Sequence, residues 1–278
     1  MTDSITAPLL EVNNLVVDYQ VGKGTFRAVD DVSFSIKKGT TLAMVGESGC
    51  GKSTIAKAIV RLLTPTSGEI RLGGTDYAKL KEKALRPTRS RVQMVFQDPY
   101  GSLDPHLTAQ EIVGEPLRLR GVSSKAERAK EAARLIDLVG LPSTALERRP
   151  QEFSGGQRQR IGIARALASS PDVLVCDEAT SALDVSVQAQ VLQLLTDLQK
   201  ERGLTYLFIT HNLGVVRQIA DYVMVMSKGS IVEQGLTAQV LERPREAYTR
   251  ALRAAALDPA TMRGRKPREI LVPAERLA

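Results

Sequence analysis

Residues 46–53 read Gly46-Glu47-Ser48-Gly49-Cys50-Gly51-Lys52-Ser53, followed by Thr54. The order fits G-x-x-x-x-G-K-[ST], the spacing of a loop that cradles phosphates. Its glycines permit backbone angles that turn successive N–H groups toward one anion. A helix starting near Lys52 adds the positive end of its dipole. Lys52 can reach the β- and γ-phosphates of a nucleotide, and Ser53 can ligate Mg²⁺. Cys50 sits beside these N–H donors and Lys52, a setting expected to favour the thiolate. Ahead of the loop, residues 41–45 (TLAMV) form an apolar run; after it, Ile55, Ala58, Ile59 and Leu62 recur on one helical face across residues 53–63. Strand, glycine turn and helix place the loop in an α/β nucleotide-binding core. By itself the loop leaves kinases, GTPases and transport ATPases open.

Outward from the loop, residues 9–19 (LLEVNNLVVDY) and 32–36 (VSFSI) alternate apolar with polar, which predicts strands of an antiparallel sheet. Residues 172–177 (DVLVCD) and 204–210 (LTYLFIT) are apolar runs of buried parallel strands. Between them a helix is expected over about 185–201, with Val187, Val191, Leu194, Leu195 and Leu198 inward and Gly203 past its end. Strand, helix, strand at this spacing is a crossover unit. Another helix is expected over 123–139, capped by Ser123 or Ser124, with Ala129, Ala132, Ala133 and Ile136 at helical spacing and Gly140 and Pro142 ending it. Residues 222–226 and 230–234 read as a hairpin across Lys228-Gly229. After about 255 the chain turns polar and reads as a loosely held extension.

Composition narrows the classes. With 43% hydrophobic and 25% charged residues, the 278-residue chain has ordinary globular usage and room for one large domain or one domain with a smaller lobe. Trp is absent and aromatics are 4%, which argues against stacking platforms for single-stranded nucleic acid. The net charge of +7 fits nucleic acid, anionic lipid, nucleotide phosphates or a solvated surface. Two cysteines, Cys50 and Cys176, make neither a zinc pattern nor a disulfide framework. The N-terminus lacks signal-peptide features, and no apolar stretch reaches about 18 residues. Any membrane role is expected to come through partner chains.

A second glycine-led helix start, Phe153-Ser154-Gly155-Gly156-Gln157, precedes RQRIGIARALA. It is either a second anion site or a glycine-capped helix with no ligand. Here the chain resembles the ABC transporter ATPases, whose signature is LSGGQ, with Phe153 in place of Leu. The resemblance spans roughly residues 9–235, with every motif in order. It implies an α/β P-loop NTPase cassette: a RecA-like parallel core, an N-terminal antiparallel β-subdomain, an α-helical signature subdomain over about 100–165, and an extension over 236–278. It also implies roles. Val173–Asp177 would be the Walker B strand, with Asp177 holding Mg²⁺ directly or through water and Glu178 as general base. Gln97 would ligate Mg²⁺ or water and link the core to the helical lobe. His211 would contact the γ-phosphate, where a lone histidine is otherwise more often structural. Ser181-Ala182-Leu183-Asp184 would be a dimer-interface loop. Tyr19 would stack on adenine, against the plain alternative of a packed strand tyrosine. Ser154, Gly155, Gly156 and Gln157 would bind the nucleotide of a second subunit, in trans.

Phe96–Pro105 (FQDPYGSLDP) resembles the oligopeptide and dipeptide importer ATPases, specifically the second of their two chain types. Arg243–Leu252 (RPREAYTRAL) resembles their C-terminal segment, keeping Pro244, Tyr248 and Thr249 but with Glu246 for His and Ala247 for Pro. The resemblance implies ATP and Mg²⁺ as cofactors. Its partners would be a non-identical ATPase subunit, two transmembrane permeases and an extracytoplasmic substrate-binding protein. The location would be the cytoplasmic face of a bacterial membrane, with peptide as cargo. Related importers carry nickel, opines or glutathione, so those cargoes stay open. Some relatives hold an iron–sulfur cluster in a cysteine-rich tail; none is expected here, because no cysteine follows Cys176. Nucleic-acid-linked cassettes differ by a second cassette or a long coiled coil. An exporter ATPase or a binding-only cassette fits less well, given Phe96–Pro105 and the presence of Lys52, Glu178 and His211.

Overall fold

The computed structural model describes residues 7–22 and 24–257. In chain order the elements are β1 (Leu10–Val21), β2 (Gly24–Ile36), β3 (Thr41–Gly46), α1 (Lys52–Ile59), β4 (Ser67–Leu72), β5 (Thr75–Asp76), α2 (Glu82–Arg91), β6 (Val92–Val95), α3 (Ala109–Leu119), α4 (Lys125–Leu138), α5 (Gly155–Ala168), β7 (Val173–Asp177), α6 (Val185–Arg202), β8 (Thr205–Ile209), α7 (Leu213–Ile219), β9 (Tyr222–Ser227), β10 (Ser230–Leu236), α8 (Thr237–Glu242) and α9 (Ala247–Leu257). They fall into two compact units: Met1–Lys79 with Leu207–Ala278, and Leu80–Tyr206.

In the first unit β1 lies inside an antiparallel sheet ordered β2-β1-β4-β5. Its apolar alternation buries Leu10, Val12, Leu15 and Val17. The step from Val12 to Leu15 skips one position because the register shifts there. Asn14 takes φ +49° at that bulge, donating its N–H to Ser33 Oγ and its amide to Asp31. Beside this sheet's residues, β3 is buried throughout and runs parallel to β9, with Leu42 opposite Tyr222 and Gly46 opposite Met226. β9 and β10 form the expected hairpin. Lys228 and Gly229 both have positive φ, 49° and 86°, as a two-residue primed turn requires. The C-terminal segment joins the same core: Val240, Leu241 and Tyr248 pack with Ala43, Val45, Val216, Val223 and Val225. Fully burying one such aliphatic side chain is worth about 1.5–3 kcal/mol.

In the second unit β6 pairs parallel with β7, Val92 opposite Val173 and Val95 opposite Cys176. α4 is capped by Ser124, whose side chain accepts from the Glu127 N–H; the apolar face buries Ala132, Leu135 and Ile136. Gly140, at φ +71°, ends it. α6 is capped by Asp184 and stopped by Gly203 in the left-handed region.

Two local expectations need correction. The helix after the phosphate loop ends at Ile59, and Leu62 is 58% exposed. Arg61 takes φ +55° and spends its guanidinium on Tyr77, Leu63 and Thr64, which turns the chain before Leu62 can join the face. The second strand begins at Gly24, well before residue 32. The polar tail beyond Leu257 lies outside the described residues.

Candidate functional site

In the first unit the phosphate loop joins β3 to α1. Gly46 has φ +152°, and a Cβ there would lie 2.3 Å from the Met226 carbonyl oxygen. Gly51 has φ +106°, and its Cβ would lie 2.5 Å from the Ala28 carbonyl oxygen. Side chains at either position would displace backbone, so both glycines are demanded by close approach as well as by φ. No side chain caps α1, which leaves the positive end of its dipole at the loop. Lys52 is 6% exposed and its ammonium donates to the carbonyls of Gly46 at 2.9 Å and Glu47 at 2.8 Å. The Cys50 carbonyl accepts from Gly229 N–H at 3.1 Å, so the hairpin turn backs the loop.

Cys50 corrects the thiolate expectation. It is 5% exposed, with Lys52 Nζ 3.7 Å from its sulfur. Burial pushes the thiol above its usual range and outweighs the opposing pull of Lys52. Tyr19 is half-buried, with its hydroxyl donating to Thr54 Oγ1 at 3.4 Å. His211 follows β8, whose end is tied to β3 by Thr210 N–H donating to the Met44 carbonyl at 3.2 Å. His211 lines a cavity of about 460 Å³ with Asn212, Arg217, Leu241 and Arg253.

The second unit holds the acidic pair and the signature. β7 is buried along its length and ends at Asp177, 7% exposed. Glu178 follows in the left-handed region at φ +47°, an uncommon state for a residue with a Cβ. Its carbonyl accepts from both the N–H and hydroxyl of Ser181, at 3.0 and 2.9 Å. Gln97 Nε2 donates to Glu178 Oε2 at 2.8 Å, so two residues 81 positions apart meet. Ser154 caps α5 in a reciprocal box with Gln157, and Phe153 is buried beneath it. The two glycines then differ. A Cβ on Gly155 would meet only Leu183, at an ordinary 3.7 Å, whereas one on Gly156 would lie 2.2 Å from Val187 Cγ1. Gly156 is required by contact with α6; Gly155 is exposed. Asp184 accepts from the Val187 N–H at 2.9 Å and the Ser186 hydroxyl at 2.7 Å, which hold its carboxyl below the usual range.

Tyr19, residues 46–54 and His211 thus belong to one unit, and Gln97, Ser154–Gln157, Asp177, Glu178, Ser181 and Asp184 to the other. The structure adds two residues with no role in the sequence reading. Gln159, 1% exposed within α5, donates to the Phe96 carbonyl at 3.4 Å, beside Gln97. Its signal is a polar residue on an otherwise apolar helix face. Tyr248 accepts from the Glu47 N–H at 3.4 Å.

A family model described as ABC transporter matches residues 29–181. The chain belongs to the ABC transporter family. Among curated relatives of this ABC chain, a probable peptide ABC transporter ATP-binding protein of Sinorhizobium fredii is 49% identical over 274 residues, covering 95% of this chain and 78% of the relative. The dipeptide transport ATP-binding protein DppF of Escherichia coli is 48% identical over 90% of this chain and 76% of its own. The oligopeptide transport ATP-binding protein OppF of Bacillus subtilis is 47% identical over 89% and 82%. A solved dimer of the ATP-binding cassette MJ0796 in a post-hydrolysis state, bound to ADP and Pi, superposes with a TM-score of 0.76 at 32% identity. It covers 82% of this chain and 98% of that one. The fold is therefore an α/β ABC cassette containing an antiparallel sheet and parallel ladders, as its motifs predict. No helix among the described residues is long and apolar enough to cross a membrane.

Proposed function

We propose that this ABC ATPase powers the import of di- and oligopeptides, working beneath two permease subunits at the cytoplasmic face of a bacterial membrane and fed by a substrate-binding protein. The observation that carries the catalytic part is Gln97 on Glu178 at 2.8 Å, which orients the one carboxylate adjacent to Asp177. The peptide assignment leans on relatives named for peptide transport, 47–49% identical over about nine-tenths of the chain.

The residues divide the work. The loop 46–54 wraps the phosphates, and Lys52 exchanges its two carbonyl partners for the β- and γ-phosphate oxygens. Tyr19 stacks on the base. Ser53 in the first unit offers a hydroxyl, and Gln97 and Asp177 in the second offer an amide oxygen and a buried carboxylate; each is a hard oxygen donor of the kind Mg²⁺ takes. When bound, Mg²⁺ neutralises charge on the phosphates. Glu178 accepts a proton from the attacking water, and His211 contacts the γ-phosphate. Ser154 and Gly155 serve the nucleotide of a second, non-identical ATPase subunit, with Ser181–Asp184 at that interface. Residues 9–235 form the cassette and 236–278 its extension.

The test is ATPase activity of the reconstituted complex against a panel of solutes. Stimulation by di- or oligopeptides is expected. Stimulation by nickel, an opine or glutathione, with none by peptides, overturns the cargo and leaves the ATPase.

A further inference from the structure

We propose that Tyr248 is a positioning residue for the nucleotide site: from the C-terminal helix, its hydroxyl holds the Glu47 amide and so sets the peptide that orients Lys52. The inference rests on the reading that loop 46–54 binds ATP.

The argument runs through one planar unit. The Gly46–Glu47 peptide carries the Gly46 carbonyl at one end and the Glu47 N–H at the other. The carbonyl accepts from Lys52 Nζ at 2.9 Å; the N–H donates to Tyr248 Oη at 3.4 Å. Rotating that peptide would move both contacts together. Room for rotation is small, because Gly46 already lies against the Met226 carbonyl, 2.3 Å from where a Cβ would stand. The next carbonyl, of Glu47, accepts from Lys52 and from the Cys50 N–H at 3.3 Å. Tyr248 is thus the partner, 201 positions away, that ties this part of the loop to the C-terminal segment.

Tyr248 is itself held firmly. Its ring is 8% exposed among Ala43, Val45, Val225 and Leu241. The chain entering α9 is fixed by Glu233 of β10, whose carboxylate accepts from the N–H groups of Arg245 at 2.9 Å and Glu246 at 3.2 Å. Burial raises the phenol above its usual range, so the hydroxyl stays neutral at working pH. A neutral acceptor on the Glu47 amide shapes the loop without adding charge against a triphosphate.

Tyr248→Phe keeps the ring and deletes the acceptor. In the full-length subunit it is expected to raise the Kd for ATP by about three- to ten-fold, the worth of one such hydrogen bond. In the assembled complex the KM for ATP should rise by a similar factor while kcat at saturating ATP stays within about two-fold. Loss of general structure would instead lower kcat with KM unchanged, and that result overturns the inference. So does an ATP Kd equal to wild type. If wild type itself binds no ATP, the functional reading fails first. Should the variant not fold, amide exchange in the wild-type subunit decides: Glu47 N–H protected before nucleotide is added supports the brace, and exchange at the rate of an exposed loop amide removes it.

Discussion

Gln97 Nε2 lies 2.8 Å from Glu178 Oε2, and Glu178 holds φ +47° at the end of a fully buried strand. The amide therefore meets a carboxylate that its own backbone already aims. Removing that partner in Gln97→Ala should lower kcat by about ten- to a hundred-fold, the usual scale for a misplaced reacting group, with a smaller effect on the affinity for Mg-ATP. Steady-state kinetics of the assembled complex at varied ATP separates the two.

The signature glycines should behave oppositely. Gly155→Asp has space, with Leu183 at 3.7 Å, so the subunit should fold and bind ATP at its own loop. It places a carboxylate where a partner's phosphate is proposed to sit, and like charges about 4 Å apart repel by about 1 kcal/mol even in water. ATP-dependent pairing should fail. Gly156→Ala drives a Cβ to 2.2 Å from Val187 and should cost about 1–3 kcal/mol in stability. Thermal melting of the two variants beside ATP-dependent gel filtration tests the contrast.

Cys50 should alkylate slowly even without nucleotide. The thiol is 5% exposed and burial raises its pKa, so less thiolate is present at pH 8 than on a free cysteine. Labelling should speed up as pH rises beyond the usual thiol range. Mass spectrometry after timed alkylation across pH reads this; rapid labelling at neutral pH would contradict it.

Glu233 gives a pH signature. Burial opposes its charge, but the N–H groups of Arg245 and Glu246 donating to the carboxylate help to outweigh it, and the net shift is downward. A depressed carboxylate stabilises the fold above its unfolded pKa of about 4.3, and that contribution is lost as pH falls through the lower folded value. Glu233→Gln should therefore melt lower than wild type by an amount worth about 1 kcal/mol from pH 8 down to about 5. The gap should narrow at more acidic pH. A gap that widens on acidification would contradict the assignment.

Much of this was legible locally. The strand, glycine turn and helix start around Gly46 to Ser53, the Lys228-Gly229 turn, the cap at Ser124 and the stop at Gly203 are each decided by a few adjacent residues, and each has the backbone form expected. The helix at Ala109–Leu119 is hard to read from its apolar pattern because Gly114 and Pro116 interrupt it, although Thr108 and Glu111 form a capping box at its start. Long-range contacts were not legible. Gly156 looks like half of an anion site until Val187 is seen against it, and nothing near Tyr248 in sequence points to Glu47. Burial explains the Cys50 error: charge neighbours can be read from the loop, whereas desolvation depends on the packing around it.

The most direct test of the account is Glu178→Gln in the assembled transporter, with turnover and bound nucleotide measured together. The substitution keeps the shape and removes the proton acceptor. Turnover should fall by about 10²–10⁴ while ATP stays bound. Turnover within a few-fold of wild type, in a complex whose second ATPase subunit is also disabled, would take Glu178 out of the reaction and the proposed hydrolytic site with it.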